Sequence, residues 1–303
     1  METDPYSHTP VLMLFLDFLM AMGLAFVLVP SIRAVARRWS LYDFDVGEEV
    51  TLSHIPRHGG IALVVAFGIS VAVFSPEGLI PGVKFILAAL LLLLAAGIQD
   101  DLLHLSWFMR TMVVVGAGAI ITDVAGMPMF HTGLGQIFDY PLADFLMTYA
   151  IYSGIVFLLI VASKIPGWVS LILILNSAAL AVIFLRSGFP DLAILPLSLA
   201  GASLTLFICS LGNYIFEGRA SALAGGFMLA MLIIFSHNIG GELVVSYPAL
   251  LVMFLTLLAI PVMMLTGVIK WQYNSIVISG KKINLYKLNL MILIVLLMAL
   301  LLL

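Results

Sequence analysis

The chain is poor in charge and nearly without cysteine. Charged residues fill 10% of its 303 positions, against about 25% in an ordinary soluble domain. With 63% hydrophobic residues and a mean hydropathy of +1.21, the composition excludes a freely soluble globular protein and implies an integral membrane protein. The single cysteine, Cys209, excludes an internal disulfide and a cysteine-ligated metal cluster. No nucleic-acid partner is expected, and the net charge of −3 is uninformative, because in a membrane protein the distribution of charge matters more than its sum. Internal repeats and low-complexity tails are also missing, and residues 1–303 read as a single polytopic membrane domain. No separate signal peptide is expected, because the first apolar run, Val11 to Val29, is long enough to remain in the bilayer as a span.

Long apolar runs are what the chain has in quantity. A span needs about 20 apolar residues, and lipid offers no partner to a backbone amide, so such segments must be helices. The runs predict an all-α integral membrane fold of about ten transmembrane helices, at 10–30, 60–75, 83–99, 107–125, 144–163, 168–186, 191–210, 222–238, 248–267 and 288–303. The long connections are 31–59, 126–143 and 268–287. Lys and Arg concentrate in alternate connections: Arg33, Arg37, Arg38 and Arg57; Arg110; Lys164; Arg219; and Lys270, Lys281, Lys282 and Lys287. The other side has Lys84 and Arg186. This asymmetry predicts a cell (inner or plasma) membrane protein with both termini on the non-cytoplasmic side. It places the polar stretches "IPRHGG", "GIQDDLLHLS", "KIPGW" and "GNYIFEGRAS" together on the cytoplasmic face.

Those stretches hold the candidate chemistry. Asp100 and Asp101, side by side at a helix end, suit a divalent cation or a general base acting on phosphate; they equally suit a helix end in the headgroup region. His54, Arg57 and His58 suit an anionic headgroup or a nucleotide phosphate, and Gly59 and Gly60 allow a close approach of backbone to a ligand or to a neighbouring helix. Asp17 lies inside the first span. An intramembrane acid is costly and so a functional candidate; a polar contact between helices accounts for it as well. The small residues at 116–120 and 222–230 are expected to permit close helix packing.

"IPRHGGIAL" after the first span, followed by two spans and then "GIQDDLLHLS", resembles the polyprenyl-phosphate N-acetylhexosamine-1-phosphate transferases, the family that includes phospho-MurNAc-pentapeptide translocase. The resemblance implies transfer of a sugar-1-phosphate from a UDP-sugar to a polyprenyl phosphate with release of UMP, in cell-envelope polysaccharide synthesis. It implies Mg2+ on the pyrophosphate and a membrane-embedded cytoplasmic site. On it, Asp100 and Asp101 are the catalytic and metal-binding acids, and His54, Arg57, Gly59, Gly60 and Arg219 bind substrate. A homodimer is compatible with it.

Other motifs of that family are altered here. Its N-x-x-N-x-x-D-G-x-D-G corresponds to "IVASKIPGWVS", where only Gly167 is retained. Its F-x-G-D-x-G-S corresponds to "FEGRASA", which puts Arg219 at the magnesium-ligating Asp. Glu217, two residues earlier, stands as a displaced third ligand. The Asp-to-Arg change alters the local charge by two units, and like charges about 4 Å apart cost about 4 kcal/mol at an effective dielectric of about 20. Two functions are therefore expected as alternatives: a membrane glycosyl-phosphate transferase in which Arg219 supplies fixed positive charge in place of the metal, or a catalytically inactive relative that binds lipid phosphate or acts as a scaffold. A transporter is the third class, and it would want broken helices at the bilayer midplane.

Overall fold

The computed structural model describes residues 11–39, 55–75, 82–127, 129, 142–239, 269–272, 275–278 and 281–284. Eight helices make up most of it: α1 (Val11–Arg38), α2 (Gly59–Phe74), α3 (Val83–Leu103), α4 (Trp107–Ala119), α5 (Leu142–Ala162), α6 (Trp168–Arg186), α7 (Ile194–Leu211) and α8 (Gly218–Ile239). Five residues of wider helix, Ile120–Val124, extend α4, and one short tight helix, Pro190–Ala193, leads into α7. Seven described helices are long and apolar enough to cross a membrane, and α2 is a shorter apolar helix. The expected spans at 248–267 and 288–303 lie outside the described residues.

Two expectations need correction. The 268–287 segment is not all loop. Three short strands, β1 (Ile269–Gln272), β2 (Ser275–Ile278) and β3 (Lys281–Asn284), pair antiparallel in sequence order, with Trp271 opposite Ile276 and Val277 opposite Lys282. The β-branched run "SIVI" favours such strands. Helix boundaries also shift. α1 runs through Pro30 to Arg38, because loss of one amide is tolerated in a membrane helix and Arg37 and Arg38 suit its C-terminal dipole. α3 runs to Leu103 and so includes the aspartate pair in its last turns.

The helices alternate in direction, and α8 lies at the centre, packed on α2, α3, α5, α6 and α7. α6 has 83% of its apolar window buried, against 22% for α1, so α1 is peripheral. Among the described residues, the apolar side chains left exposed on α1 and α4, such as Phe15, Phe26, Phe108 and Met112, match a lipid-facing surface. α2, α4, α6 and α8 all begin at one end of the bundle, which is where Arg57, Arg110, Lys164 and Arg219 also lie. Lys84 and Arg186 lie at the other end.

Asp17 is fully buried and ties three helices together. Its Oδ1 accepts hydrogen bonds from Ser70 Oγ of α2 at 2.7 Å and from Ser198 Oγ of α7 at 2.6 Å. The interhelical reading of this intramembrane acid is thus the one the contacts favour. Side-chain hydrogen bonds between membrane helices are worth about 0.6 kcal/mol on average, and a serine hydroxyl left unpaired adds a desolvation cost of about 1 kcal/mol or more. Asp17→Ala is expected to lower unfolding free energy by about 1–3 kcal/mol in detergent. In an Asp17/Ser198 double-mutant cycle the two losses should be clearly non-additive; additive losses would show that the contact is not energetically real.

Candidate functional site

The "IPRHGG" and "FEGRAS" stretches are clasped to each other through backbone. Phe216 N–H donates to the Pro56 carbonyl at 2.9 Å. Gly59 and Gly60 N–H donate to the carbonyls of Phe216 and Glu217 at 3.0 and 2.9 Å. The first amides of a helix have no partner within it, and here the α7–α8 turn supplies acceptors to α2. Gly59 and Gly60, expected to bind substrate, are buried in this clasp.

The same turn caps α6. Glu217 is 2% exposed, and its Oε1 accepts the Ser170 amide at 2.9 Å. Burial pushes the Glu217 carboxyl up from its ordinary value of 4.5 to about 7, against the opposing pull of hydrogen bonds from Ser170, Val169 and Gly167. α8 is capped in its turn by α3. The Asp101 carboxylate accepts the amides of Arg219 at 2.6 Å and Ala220 at 3.4 Å, a favourable place for negative charge. Gly97 makes this possible: a Cβ there would collide with the Ala220 backbone. The two helices therefore touch at Gly97, and Asp101, one turn later, meets the first amides of α8. Gly218 sits at φ +72°, wedged against the Arg57 carbonyl and the Asp101 carboxylate, a conformation and a space that only glycine fits.

Asp100 is equally committed. Arg110 is ion-paired with it: Nη2 donates to Oδ1 at 2.8 Å, and Nε lies 2.8 Å from Oδ2 without the alignment of a hydrogen bond. The Leu105 amide donates to Oδ1 at 2.8 Å. Arg219 Nη1 donates to the Asp100 carbonyl at 3.0 Å and lies 3.8 Å from Oδ1. Asp100 thus joins two guanidiniums.

Beside these groups is a cavity of about 460 Å3, lined by Arg57, Asp101, Arg110, Lys164 and Arg219 and by the aromatic pair Trp107 and Phe157, whose ring centroids are 4.6 Å apart. Trp107 is 48% exposed. The arrangement suits an anion flanked by apolar matter: positive charge converges from α4, α8 and two loops, and an aromatic wall stands at the rim. Sequence reasoning reached Arg57, Asp100, Asp101 and Arg219 and the structure brings them together, whereas His54 lies outside the described residues. Arg110, Lys164, Trp107 and Phe157 were missed as site residues. Arg110 and Lys164 read only as positive charge near a membrane face, and the aromatics read only as span.

The donor set does not fit magnesium. A magnesium site needs carboxylate oxygens turned toward the ion. Here the Asp100 oxygens face Arg110, those of Asp101 face the amides of α8, and Glu217 faces α6. Among the described residues, no three His, Cys, Asp or Glu side chains gather as a metal-binding group. Comparison with protein-family models and with curated proteins finds no match to this chain.

The Glu217 carboxyl carries a pH prediction. An acid whose folded pKa exceeds its unfolded one holds more protons when folded, so stability falls as pH rises between the two values. From pH 4.5 to about 7 the thermal midpoint of the purified protein should drop. Glu217→Gln keeps an acceptor for the Ser170 amide and removes the titration, so its midpoint should fall less over that window. Parallel pH profiles for the two proteins would refute this.

Proposed function

We propose that the chain is a multi-pass membrane protein that binds the phosphate of a polyprenyl phosphate in the cavity between α3, α4, α5 and α8, at the cytoplasmic face. The observation that supports this most is the convergence of Arg57, Arg110, Lys164 and Arg219 on one cavity. These four cations outnumber Asp101, the carboxylate that lines the cavity with them. A phosphate monoester carries between one and two negative charges at neutral pH, and arginine is the side chain best shaped to hold it. The partly exposed Trp107 beside Phe157 gives the apolar chain of such a lipid a surface to leave along. The positive-inside distribution of the described Lys and Arg supports the cytoplasmic placement. On this reading the protein keeps the lipid-phosphate end of the transferase scheme and acts as a binding protein or scaffold.

Sugar-1-phosphate transfer from a UDP-sugar is the second reading, favoured by the position of Asp101 on the cavity wall. It requires a way to neutralise the pyrophosphate other than three converging carboxylates.

The test is equilibrium binding of radiolabelled polyprenyl phosphate to the full chain in detergent or nanodiscs, run beside transfer of label from a UDP-sugar to lipid. Binding without transfer is the expected result. Arg57→Ala combined with Lys164→Ala should weaken binding by about tenfold or more, equivalent to about 1.4 kcal/mol. Unchanged affinity in that variant would reject the cavity as the binding site. Transfer above the level of an Asp100→Asn, Asp101→Asn control would establish the enzyme instead.

A further inference from the structure

We infer that this cavity holds a phosphate monoester without any divalent cation, and that Asp100 serves as the splint that sets two arginines for it. The inference rests on the lipid-phosphate reading above and adds how the anion is neutralised. In a metal-dependent site, paired aspartates hold the ion and the ion holds phosphate. Here the sign of that scheme is reversed at the same residues. Asp100 Oδ1 accepts a hydrogen bond from Arg110 Nη2 at 2.8 Å, and the guanidinium lies against the same carboxylate with Nε 2.8 Å from Oδ2. Arg219 reaches the Asp100 carbonyl at 3.0 Å, and its own amide is held by Asp101 at 2.6 Å. Backbone and side chain of Arg219 are therefore fixed by two consecutive residues of α3.

Both guanidiniums belong to the cavity wall. The side chains of Arg110 and Arg219 are only 12% and 18% exposed, and that of Asp100 is fully buried. Two guanidiniums crowded in a half-buried space repel each other, and a buried carboxylate between them offsets that repulsion while fixing their planes. Arginine retains its charge at any accessible pH, so the pair is a permanent substitute for a dication. Arg57 and Lys164 add positive charge from loops on the other walls, and Asp101 is the one carboxylate lining the cavity. The ligand class this selects is a doubly charged terminal phosphate. A phosphodiester headgroup carries one charge and only two non-bridging oxygens, against up to two charges and three such oxygens on a monoester.

The carboxylate gives the inference a sign that simple electrostatics would not. Removing a negative charge beside an anion site ordinarily tightens binding. Removing the splint lets Arg110 and Arg219 move apart and loosens it. Asp100 is thus a positioning residue for the bound phosphate.

The experiment uses the full chain in nanodiscs and radiolabelled polyprenyl phosphate, with and without EDTA, with magnesium restored, and with phosphatidylglycerol as a phosphodiester competitor. EDTA and magnesium should each change affinity less than twofold, and phosphatidylglycerol should compete poorly. Asp100→Asn should bind about tenfold more weakly, and Arg219→Lys should weaken binding although its charge is kept. Affinity for the unmodified protein should rise with pH through the second phosphate ionisation near about 6. That rise should flatten in Asp100→Asn, which a loss of fold stability alone would not produce. Binding that EDTA abolishes and magnesium restores overturns the inference and leaves the lipid-phosphate reading intact. Equal competition by phosphatidylglycerol overturns the dianion class. Unchanged or tighter binding by Asp100→Asn overturns the splint; should that variant not fold, the EDTA arm on the unmodified protein decides. Failure of polyprenyl phosphate to bind under every condition overturns both readings.

Discussion

Helix N-termini gathered against neighbouring segments govern the site end of this molecule. α2, α4, α6 and α8 all start there, and each presents amides with no partner in its own helix. Near lipid, each unmet amide is expensive. The chain meets the demand with a few residues. The carbonyls of Phe216 and Glu217 serve α2, the Glu217 carboxylate serves α6, the Asp101 carboxylate serves α8, and the Ser106 hydroxyl accepts the Met109 amide at the start of α4. The α7–α8 turn is the hub of this arrangement, and the geometry of the cavity follows from it.

The consequence for chemistry is that acids which look available in the sequence are already engaged. Asp101 and Glu217 each face the positive end of a neighbouring helix, and Asp100 is gripped by Arg110. Their burial is sustained by these partners, because a buried charge is tolerated only when paired and hydrogen-bonded. The cations then define the character of the cavity. Arg219, standing where the resembled family has an aspartate, fits this logic: its amide completes the cap of α8 and its guanidinium joins Arg110 around Asp100.

Much of the fold was legible. Eight of the expected segments coincide with described helices, and seven of these are long and apolar enough to cross a membrane, because length and apolarity are read directly from the chain. The alternating placement of Lys and Arg agrees with the alternating helix directions. The interhelical alternative for Asp17 was open in the sequence, but Ser70 and Ser198, distant in the chain, gave no signal of their own. The same holds for Gly97, whose role depends on Ala220 lying against it. Arg110 was visible only as a positive charge ten residues past Asp100; a turn at His104 and the start of α4 fold it back onto that carboxylate.

The sequence by itself determined that the chain is a helical, multi-pass membrane protein with its polar residues gathered at one end, since hydropathy and charge distribution act on each segment independently. It also picked out Arg57, Asp100, Asp101 and Arg219 as belonging together. Only the tertiary structure decided what those residues do to one another. Whether a carboxylate faces a cation, a helix amide or open space depends on angstrom-scale contacts between segments ten to more than a hundred residues apart. In this fold those contacts engage the acids within the protein, and Arg57, Arg110, Lys164 and Arg219 outnumber Asp101 on the cavity wall.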